Sequence, residues 1–357
     1  MSSLLSEPAQ HDGDPIQGYS PAGQLLNLIS GYWISQAIYV AAELGIADLL
    51  GKKARDVTGL AQLTHAHAPS LYRILRALAS VGIFSEVAPQ SFVQTPMGVL
   101  LRSDMPGNLA AFSRLQGDRW HWNAWGAIVD TVRSGKSAMY LNHDKDNCFE
   151  YLADHDHSAE LFNLAMSGYA SQVNAAVVDA YDFSQARVIV DVGGGHGKLL
   201  GTILDYAPQA HGVLFDRAEV LIGATAELQA LGVADRCQVS AGDFFQSVPS
   251  GGDVYVLSSV LHDWNDSQAT AILRSVRAAM DGAGRLLIVE HVLPEDDESH
   301  PGKFVDLEMM LVTGGKERTA AQYQSLLNDA GLTFQRSIPT AMSATIIEAK
   351  CAVGQGI

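Results

Sequence analysis

Basic residues are scarce in this 357-residue chain, where 23 Lys and Arg stand against 39 Asp and Glu and leave a net charge of −16. A nucleic-acid partner requires a basic surface that neutralises phosphates, so this balance argues against one. The same shortage argues against a polybasic contact with a membrane. We therefore expect a small-molecule ligand that is recognised in a pocket.

Cysteine is equally scarce. Cys148, Cys237 and Cys351 lie far apart without a C-x-x-C pair, so neither a disulfide framework nor a zinc cluster is indicated. Residues 1–20 lack a basic stretch followed by an apolar one and are predicted to be a flexible polar tail, not a signal peptide. No apolar stretch approaches the ~20 residues of a membrane span. We predict no membrane partner and a cytoplasmic location.

Helical periodicity dominates the first half of the chain. Residues 25–50 are typical of two apolar helices, and their apolar side chains predict a homodimer interface because one small helical layer could not cover them. Residues 56–101 predict a helix capped by Asp56 or Thr58, a helix that begins at Pro69, a short hairpin and another helix.

This order of helix, helix and hairpin is typical of a winged helix, a unit that usually binds DNA. Between residues 69 and 84 the only cations are Arg73 and Arg76. A DNA-binding helix carries a Lys/Arg face, so we expect a structural role for this unit.

Strands and helices alternate from residue 187 onward. Alternation of this kind predicts an α/β fold with a Rossmann-like, doubly wound parallel sheet covered by helices on both faces. A closing antiparallel pair is expected near the C-terminus. The predicted parallel strands are 187–192, 212–216, 237–240, 253–258 and 285–291.

A glycine-rich turn follows the first predicted strand in RVIVDVGGGHGKLL (187–200). In open parallel sheets, ligands bind beyond the carboxyl ends of the strands. Glycines such as Gly193 and Gly195 allow positive φ and close contact between the backbone and a ligand. The spacing G-x-G-x-G departs from the dinucleotide pattern G-x-G-x-x-G, because Lys198 stands where the third glycine would be.

Acidic residues next to this turn favour a cationic ligand. Asp191 would repel a pyrophosphate but attract an ammonium or sulfonium group, which favours S-adenosylmethionine. Asp216 ends the second strand and is predicted to accept both ribose hydroxyls. Asp243 and Phe244 are expected to meet the adenine amino group and ring. Another nucleotide remains an alternative, and an Asp at a strand end is often only a helix cap.

His262 follows the fourth predicted strand and is a candidate general base. A phenol has a pKa of ~10 and is a poor nucleophile until it loses its proton, which a neutral imidazole can accept. Glu290 or Glu317 could orient the imidazole. Alternatively, Glu317 could pair with Arg318 or Lys316 or cap the helix at 319–330, and Glu290 could only satisfy backbone N–H groups.

Six segments together resemble the caffeate/isoflavone-type (plant-type, class II) O-methyltransferase family, including its bacterial natural-product members that act on phenazines and polyketides. The resemblance covers nearly the whole chain, because the N-terminal helices and winged helix are similar to the family's dimerisation domain. It implies a homodimer that transfers a methyl group from S-adenosylmethionine to an aromatic hydroxyl. The segments are DVGGGHG, GVLFDRAEV, GDFF, VLHDWNDSQATAIL, IVEHVLP and GGKERT.

The resemblance also implies a set of site residues, with His262 as the base flanked by Glu290 and Glu317. Two positions depart from many plant members, namely Ser258, where those have Lys, and RAEV after Asp216. Donor contacts are expected from Asp191, Gly193, Gly195, Asp216, Arg217, Asp243, Phe244 and Ser258. Acceptor contacts are expected from Trp125, Phe162, Met166, Asp263, Asp306 and Met309.

We predict no metal, because the H-x-H pairs of this chain would not share one helix face and NHDKDN lacks the spacing of a calcium loop. Methylation of a heteroaromatic ring nitrogen remains an alternative function, and a DNA-binding regulator with a vestigial donor site is another. The predicted regions are a tail (1–20), a dimerisation domain (21–115), a helical linker that contributes to the acceptor pocket (116–182) and a donor-binding catalytic domain (183–357).

Overall fold

The computed structural model describes residues 20–105 and 107–352. The predicted tail therefore lies outside the described residues, apart from Ser20. The chain divides into two compact units, Met1–Val99 and Leu100–Ile357. The first unit ends before the boundary that we drew at 115, and the assignment of the stretch between them stays a prediction.

The first unit contains the elements that its sequence predicts. The Asp56 side chain accepts a hydrogen bond of 2.9 Å from the Gly59 N–H and caps the first of the two winged-helix helices, as expected. Three short strands pair in the order β1-β3-β2, of which β1 was not predicted. The elements are α1 (Pro21–Ile29), α2 (Tyr32–Glu43), α3 (Ile46–Leu50), β1 (Arg55–Asp56), α4 (Val57–Thr64), α5 (Ala68–Ser80), β2 (Phe84–Ala88), β3 (Ser91–Gln94) and α6 (Pro96–Val99).

The helices α1 and α2 carry large apolar side chains that this unit does not cover. Leu28, Ile29 and Trp33 are 67%, 63% and 64% exposed. The stretch Pro21–Glu43 has 23 residues and a mean hydropathy of 1.2, and by length and composition alone it could cross a membrane. Our expectation that no apolar stretch approaches that length was therefore wrong. An apolar surface of this size needs a partner.

We expect Leu28→Glu to convert a dimer into a monomer, because a charge would then be buried at the interface without a partner. Sedimentation equilibrium on the purified variant measures the mass. Val132→Glu is the matched control, since Val132 is 68% exposed on the second unit. A Leu28→Glu protein that keeps the mass of the wild type would contradict the assignment of this surface to self-association.

The second unit begins with helices that pack around a common apolar core. This core contains Leu115 and Ala124 together with Met139, Leu161 and Leu311. The helices are α7 (Ala110–Gly117), α8 (Arg119–Gly126), α9 (Ile128–Ser134), α10 (Ala138–His143), α11 (Cys148–Leu152) and α12 (Asp156–Ala180).

A mostly parallel sheet follows, with strand order β10-β11-β8-β7-β4-β5-β6. All five predicted parallel strands and the closing antiparallel pair are confirmed, while the short β9 was not predicted. The elements are β4 (Val188–Val192), α13 (Lys198–Tyr206), β5 (His211–Asp216), α14 (Ala224–Ala230), β6 (Cys237–Ala241), β7 (Val254–Ser258), α15 (Asp266–Ala279), β8 (Arg285–Leu293), α16 (Gly302–Val312), β9 (Arg318–Thr319), α17 (Ala320–Asp329), β10 (Leu332–Pro339) and β11 (Ala344–Cys351).

Strand β4 lies at the point where the strand order reverses. The chain passes from β4 to β5 on one side, and β7 pairs with β4 on the other. Val190 and Val192 face one apolar cluster, whereas Ile189 faces the other, so helices cover both faces of the sheet. The crevice at the carboxyl ends of β4 and β7 is therefore where a doubly wound sheet binds its ligand.

Candidate active site

The glycine turn after β4 is tightly enclosed on one side and open on the other. Gly193 and Gly195 have φ values of 74° and 58°, a conformation that side chains disfavour. A Cβ on Gly194 would stand 2.4 Å from the carboxylate of Asp191, and a Cβ on Gly193 would stand 2.8 Å from Val260. A Cβ on Gly195 would meet nothing within 4 Å. The open side at Gly195 therefore leaves room for a ligand against the backbone.

The carboxylate of Asp216 is fixed at this opening. Its two oxygens accept hydrogen bonds from the N–H groups of Gly195, at 2.9 Å, and Arg217, at 2.7 Å. Burial raises the pKa of Asp216, and these two N–H groups act against the rise. The Arg217 side chain is 54% exposed and its Nε lies 3.4 Å from Glu219. Ser258 is partly buried at the end of β7.

Asp191 lies behind the turn, where a carboxylate facing the open side had been expected. Its side chain is 1% exposed, and burial, followed by the charge of Asp216, raises its pKa to about 7. One oxygen of Asp191 has no hydrogen-bond partner among the described residues. A direct contact between Asp191 and a ligand stays a prediction.

Asp243 is not a helix cap, because it is followed by a turn, to which its side chain bonds. Its oxygens accept hydrogen bonds from the Phe245 N–H, at 2.9 Å, and from the Gln246 amide, at 3.2 Å. Phe244 packs edge-on against Trp264 and would lie 3.7 Å from a Cβ on Gly193. Phe244 is thus next to the glycine turn, and its contact with an adenine ring stays a prediction.

Three of the predicted site residues lie together at the turn that follows β7. His262 sits in a short 3-10 turn (Leu261–Asp263), and its Nδ1 lies 2.7 Å from Glu317 Oε1 and 3.3 Å from Glu290 Oε2. Glu290 is also held by the N–H groups of Val260 and Leu261, each at 2.9 Å from its Oε1. Glu290 therefore satisfies backbone N–H groups through Oε1, while its Oε2 stands near the imidazole without a hydrogen-bond partner among the described residues.

The alternatives for Glu317 are not what the structure shows. Thr319 caps α17 in a capping box with Gln322, so the helix does not use Glu317. Lys316 and Arg318 instead hold Asp266, at 2.7 Å and 3.0 Å. The side chain of Glu317 is left to the imidazole of His262.

Arg318 is a functional residue that our reasoning treated only as a possible partner of Glu317. Its side chain is fully buried and donates to the carbonyls of Leu261, at 2.8 Å, and Trp264, at 2.7 Å, on both sides of His262. A Cβ on Gly315 would stand 1.9 Å from the His262 carbonyl. The segment GGKERT contains both residues, because its Gly315 packs against the turn that carries His262 and its Arg318 donates hydrogen bonds to that turn.

The imidazole of His262 is a stronger base than an ordinary histidine. Burial alone would lower its pKa, but three surrounding carboxylates outweigh this effect and raise the pKa to about 10. These carboxylates belong to Glu290, Asp263 and Glu317, the last of which also accepts a hydrogen bond from the imidazole. Burial raises the pKa of Glu290, and it raises that of Asp263 to about 6. Nδ1 faces the two glutamates, whereas Nε2 lies 3.8 Å from Asp263 Oδ1.

The structure brings several of the predicted acceptor residues to one apolar cluster. Trp125, Phe162, Met166 and Met309 all belong to it, and Met309 is buried in its core. Trp120 is only 3% exposed and belongs to the core of this cluster. Trp122 points outward, with 40% exposure. Asp306 accepts a 2.8 Å hydrogen bond from the Glu317 N–H, which places it behind the catalytic carboxylate.

We did not predict Glu308 as a site residue, because nothing in the neighbouring sequence distinguishes it from a solvent-exposed glutamate on a helix. Its Oε2 accepts a 2.7 Å hydrogen bond from the Trp125 indole N–H. Its Oε1 lies 2.6 Å from Nε2 of the buried His121.

The atoms of His262, Glu290 and Glu317 lie within 4.8 Å of one another and form a donor set that could hold a metal ion. Hydrogen bonds already account for this arrangement, since Glu317 engages Nδ1 and Glu290 accepts two backbone N–H groups. The absence of a metal stays a prediction.

The chain matches two family models in succession. Residues 26–104 match the O-methyltransferase dimerisation domain, and residues 125–333 match the O-methyltransferase domain. It is 44% identical over 326 residues to phenazine O-methyltransferase PhzM of Lysobacter antibioticus, covering 91% of this chain and 95% of that protein. It is 38% identical over 315 residues to the mitomycin biosynthesis 6-O-methyltransferase of Streptomyces lavendulae, covering 88% and 89%.

Solved structures agree with this placement. CalO1, a methyltransferase in calicheamicin biosynthesis whose structure is the SAH-bound form, superposes with a TM-score of 0.82 at 32% identity, covering 96% of this chain and 100% of that chain. The chain belongs to the O-methyltransferase family with a dimerisation domain. It is an S-adenosylmethionine-dependent O-methyltransferase, and the open glycine turn with its fixed Asp216 fits that donor.

We expect Gly194→Ala to weaken binding of S-adenosylhomocysteine at least tenfold, because the added methyl group would displace Asp191 and the turn. Titration calorimetry measures the affinity. Gly126→Ala is the control, since a Cβ there meets nothing within 4 Å. Unchanged affinity in Gly194→Ala would show that the turn does not contact the donor.

Proposed function

We propose that this enzyme methylates a hydroxyl group of a flat, polycyclic aromatic natural product, with His262 as the general base and without a metal. The observation that carries this proposal is the imidazole of His262, whose Nδ1 is bound to Glu317 at 2.7 Å while Nε2 stays available for a proton. We further propose that it acts in the cytoplasm as a homodimer formed through α1 and α2, with no nucleic-acid or membrane partner.

The donor would be held by residues around the glycine turn. Asp216 offers its carboxylate to the ribose, Phe244 offers its ring to the adenine, and the backbone at Gly195 approaches the donor closely. When bound, S-adenosylmethionine supplies an electrophilic methyl group on a cationic sulfur. Asp191, Gly193, Arg217, Asp243 and Ser258 complete the proposed donor contacts.

Proton transfer from the acceptor is supported by the matched basicity of the two partners. A phenol has a pKa of ~10, so an ordinary imidazole would accept its proton only with a penalty of roughly a thousandfold. With a pKa of about 10, the neutral form of His262 can take the proton at Nε2 with almost no penalty, and this form is well populated only at alkaline pH. The carboxylates of Glu290 and Glu317 then stabilise the imidazolium that results.

The proposed acceptor site is the apolar cluster between α8, α12 and α16. Trp125, Phe162, Met166 and Met309 provide aromatic and sulfur surfaces that suit a flat ring system. Asp263 and Asp306 lie at the end of this surface beside His262 and Glu317. The names of the two relatives, which act on a phenazine and in mitomycin biosynthesis, agree with a polycyclic acceptor.

We expect His262→Ala to bind S-adenosylhomocysteine like the wild type and to methylate 1-hydroxyphenazine about 100- to 10,000-fold more slowly, which is the range for a lost general base. Labelled donor and product mass measure turnover. His157→Ala is the matched control, because His157 is exposed at the start of α12. The same assay in EDTA is expected to proceed at the full rate.

Full activity of His262→Ala would show that positioning of the acceptor suffices. Loss of activity in EDTA, restored by a divalent cation, would show that the three clustered residues hold a metal.

Methylation of a ring nitrogen is a second candidate, and the raised pKa of His262 favours it. A protonated His262 cannot act as a base near neutral pH, but a heteroaromatic nitrogen needs none. Assaying His262→Ala on phenazine-1-carboxylate as well as on 1-hydroxyphenazine separates the two functions. Transfer to nitrogen that survives the substitution would make this chain an N-methyltransferase.

We expect Glu317→Gln to move the acidic limb of the pH–rate profile to lower pH. A carboxylate raises the pKa of a neighbouring imidazole, so its removal lowers that pKa and the neutral form appears at a lower pH. The maximal rate is expected to fall, because the weaker base no longer matches the phenol. Initial rates between pH 6 and 11 measure both effects, and a limb that moves to higher pH would refute this assignment of Glu317.

A further inference from the structure

We propose that Glu308 is a positioning residue that fixes the indole of Trp125 as a wall of the acceptor pocket and thereby sets which acceptors bind. This inference rests on the proposed function only for the location of that pocket. Glu308 lies on α16, two residues after Asp306 and one residue before the buried Met309.

Each oxygen of Glu308 has its own donor on α8. Oε2 accepts the Trp125 indole N–H at 2.7 Å, and Oε1 lies 2.6 Å from His121 Nε2. Hydrogen bonds to a carboxylate are short and about twice as strong as those between neutral groups. Two of them along one helix hold the indole in one orientation, because rotation of Trp125 would break its bond.

One nitrogen of the His121 ring is left without a partner. His121 is 2% exposed, and its Nδ1 has no hydrogen-bond partner among the described residues. A carboxylate oxygen accepts, so the His121 Nε2–H donates to Glu308 Oε1. A proton that moved from Nε2 to Nδ1 would be a buried donor without an acceptor, which is costly. Both oxygens of Glu308 are therefore engaged by N–H donors on α8.

The same carboxylate lies near the catalytic side of the site. On α16, Asp306 accepts the Glu317 N–H at 2.8 Å. One helix thus connects the Trp125 wall with the carboxylate that orients the base.

Glutamine cannot replace Glu308 without loss. Its amide has one acceptor oxygen, so its NH₂ group would face either the indole N–H or the Nε2–H of His121. Relief would require the His121 proton to move to Nδ1, where it has no acceptor. We therefore expect Glu308→Gln to loosen Trp125 while the donor site, built by other residues, keeps its affinity.

The test combines affinity and spectroscopy on the full-length protein loaded with S-adenosylhomocysteine. For Glu308→Gln we expect the dissociation constant of 1-hydroxyphenazine to rise about tenfold and that of S-adenosylhomocysteine to change less than twofold. Catechol, with a single ring that needs less of the wall, should lose less than threefold. In ¹⁵N-tryptophan-labelled protein, the indole N–H resonance that Trp125→Phe removes should move upfield, because a neutral acceptor bonds more weakly.

Two further variants, one of them combined with Glu308→Gln, provide the control and a second test of the inference. Glu298→Gln is the matched control, because Glu298 is exposed in the loop before α16. Trp125→Phe removes the donor and keeps Glu308, so the Trp125→Phe/Glu308→Gln double variant should bind 1-hydroxyphenazine no more weakly than the weaker single variant. An unmoved Trp125 resonance, additive losses, or equal losses for catechol and 1-hydroxyphenazine would each overturn the inference. If the wild type itself binds no 1-hydroxyphenazine, the proposed acceptor fails, whereas the resonance still decides whether Glu308 holds Trp125.

Discussion

The contact between His262 Nδ1 and Glu317, at 2.7 Å, is the interaction on which the proposed function of this molecule depends. It fixes the orientation of the imidazole ring and leaves Nε2 as the nitrogen that would face the proposed acceptor. Together with Glu290 and Asp263, Glu317 also raises the pKa of the imidazole to about 10. Two buried glutamates in contact would repel each other, so the site is stable only because the imidazole and the backbone N–H groups of Val260 and Leu261 compensate their charge. The same carboxylates therefore raise the pKa of the His262 imidazole and hold the ring in place.

The fold was largely predictable because its signals are local and repeated. Alternating strand and helix patterns located β4, β5, β6, β7 and β8, and the order of helix, helix and hairpin located α4, α5, β2 and β3. The prediction was wrong where the burial of apolar side chains depends on a partner molecule. The apolar stretch Pro21–Glu43 is long enough to resemble a membrane span, and its sequence alone does not say which surface covers it. The match of residues 26–104 to a dimerisation domain supplies that answer.

The site was predictable to the extent that motifs mark residues which act directly. In this way His262, Glu290, Glu317 and Asp216 were predicted as site residues, and the structure brings the first three together. A residue that would act through another residue carries no such mark: Glu308 is indistinguishable from a solvent-exposed glutamate until α16 is packed against α8. The sequence also did not show that Asp191 is buried, with its carboxylate directly against Gly194. The sequence shows which chemical groups are present, but the packing decides which of their atoms face a ligand.

The hydrogen bonds from Arg318 to the turn of His262 have a consequence for how the protein folds during synthesis. The carbonyls of Leu261 and Trp264 are satisfied by a side chain that lies more than fifty positions further along the chain. The final conformation of the turn that bears His262 therefore depends on a residue that is synthesised after α15, and a chain that ends before Arg318 would leave these two carbonyls without their donor.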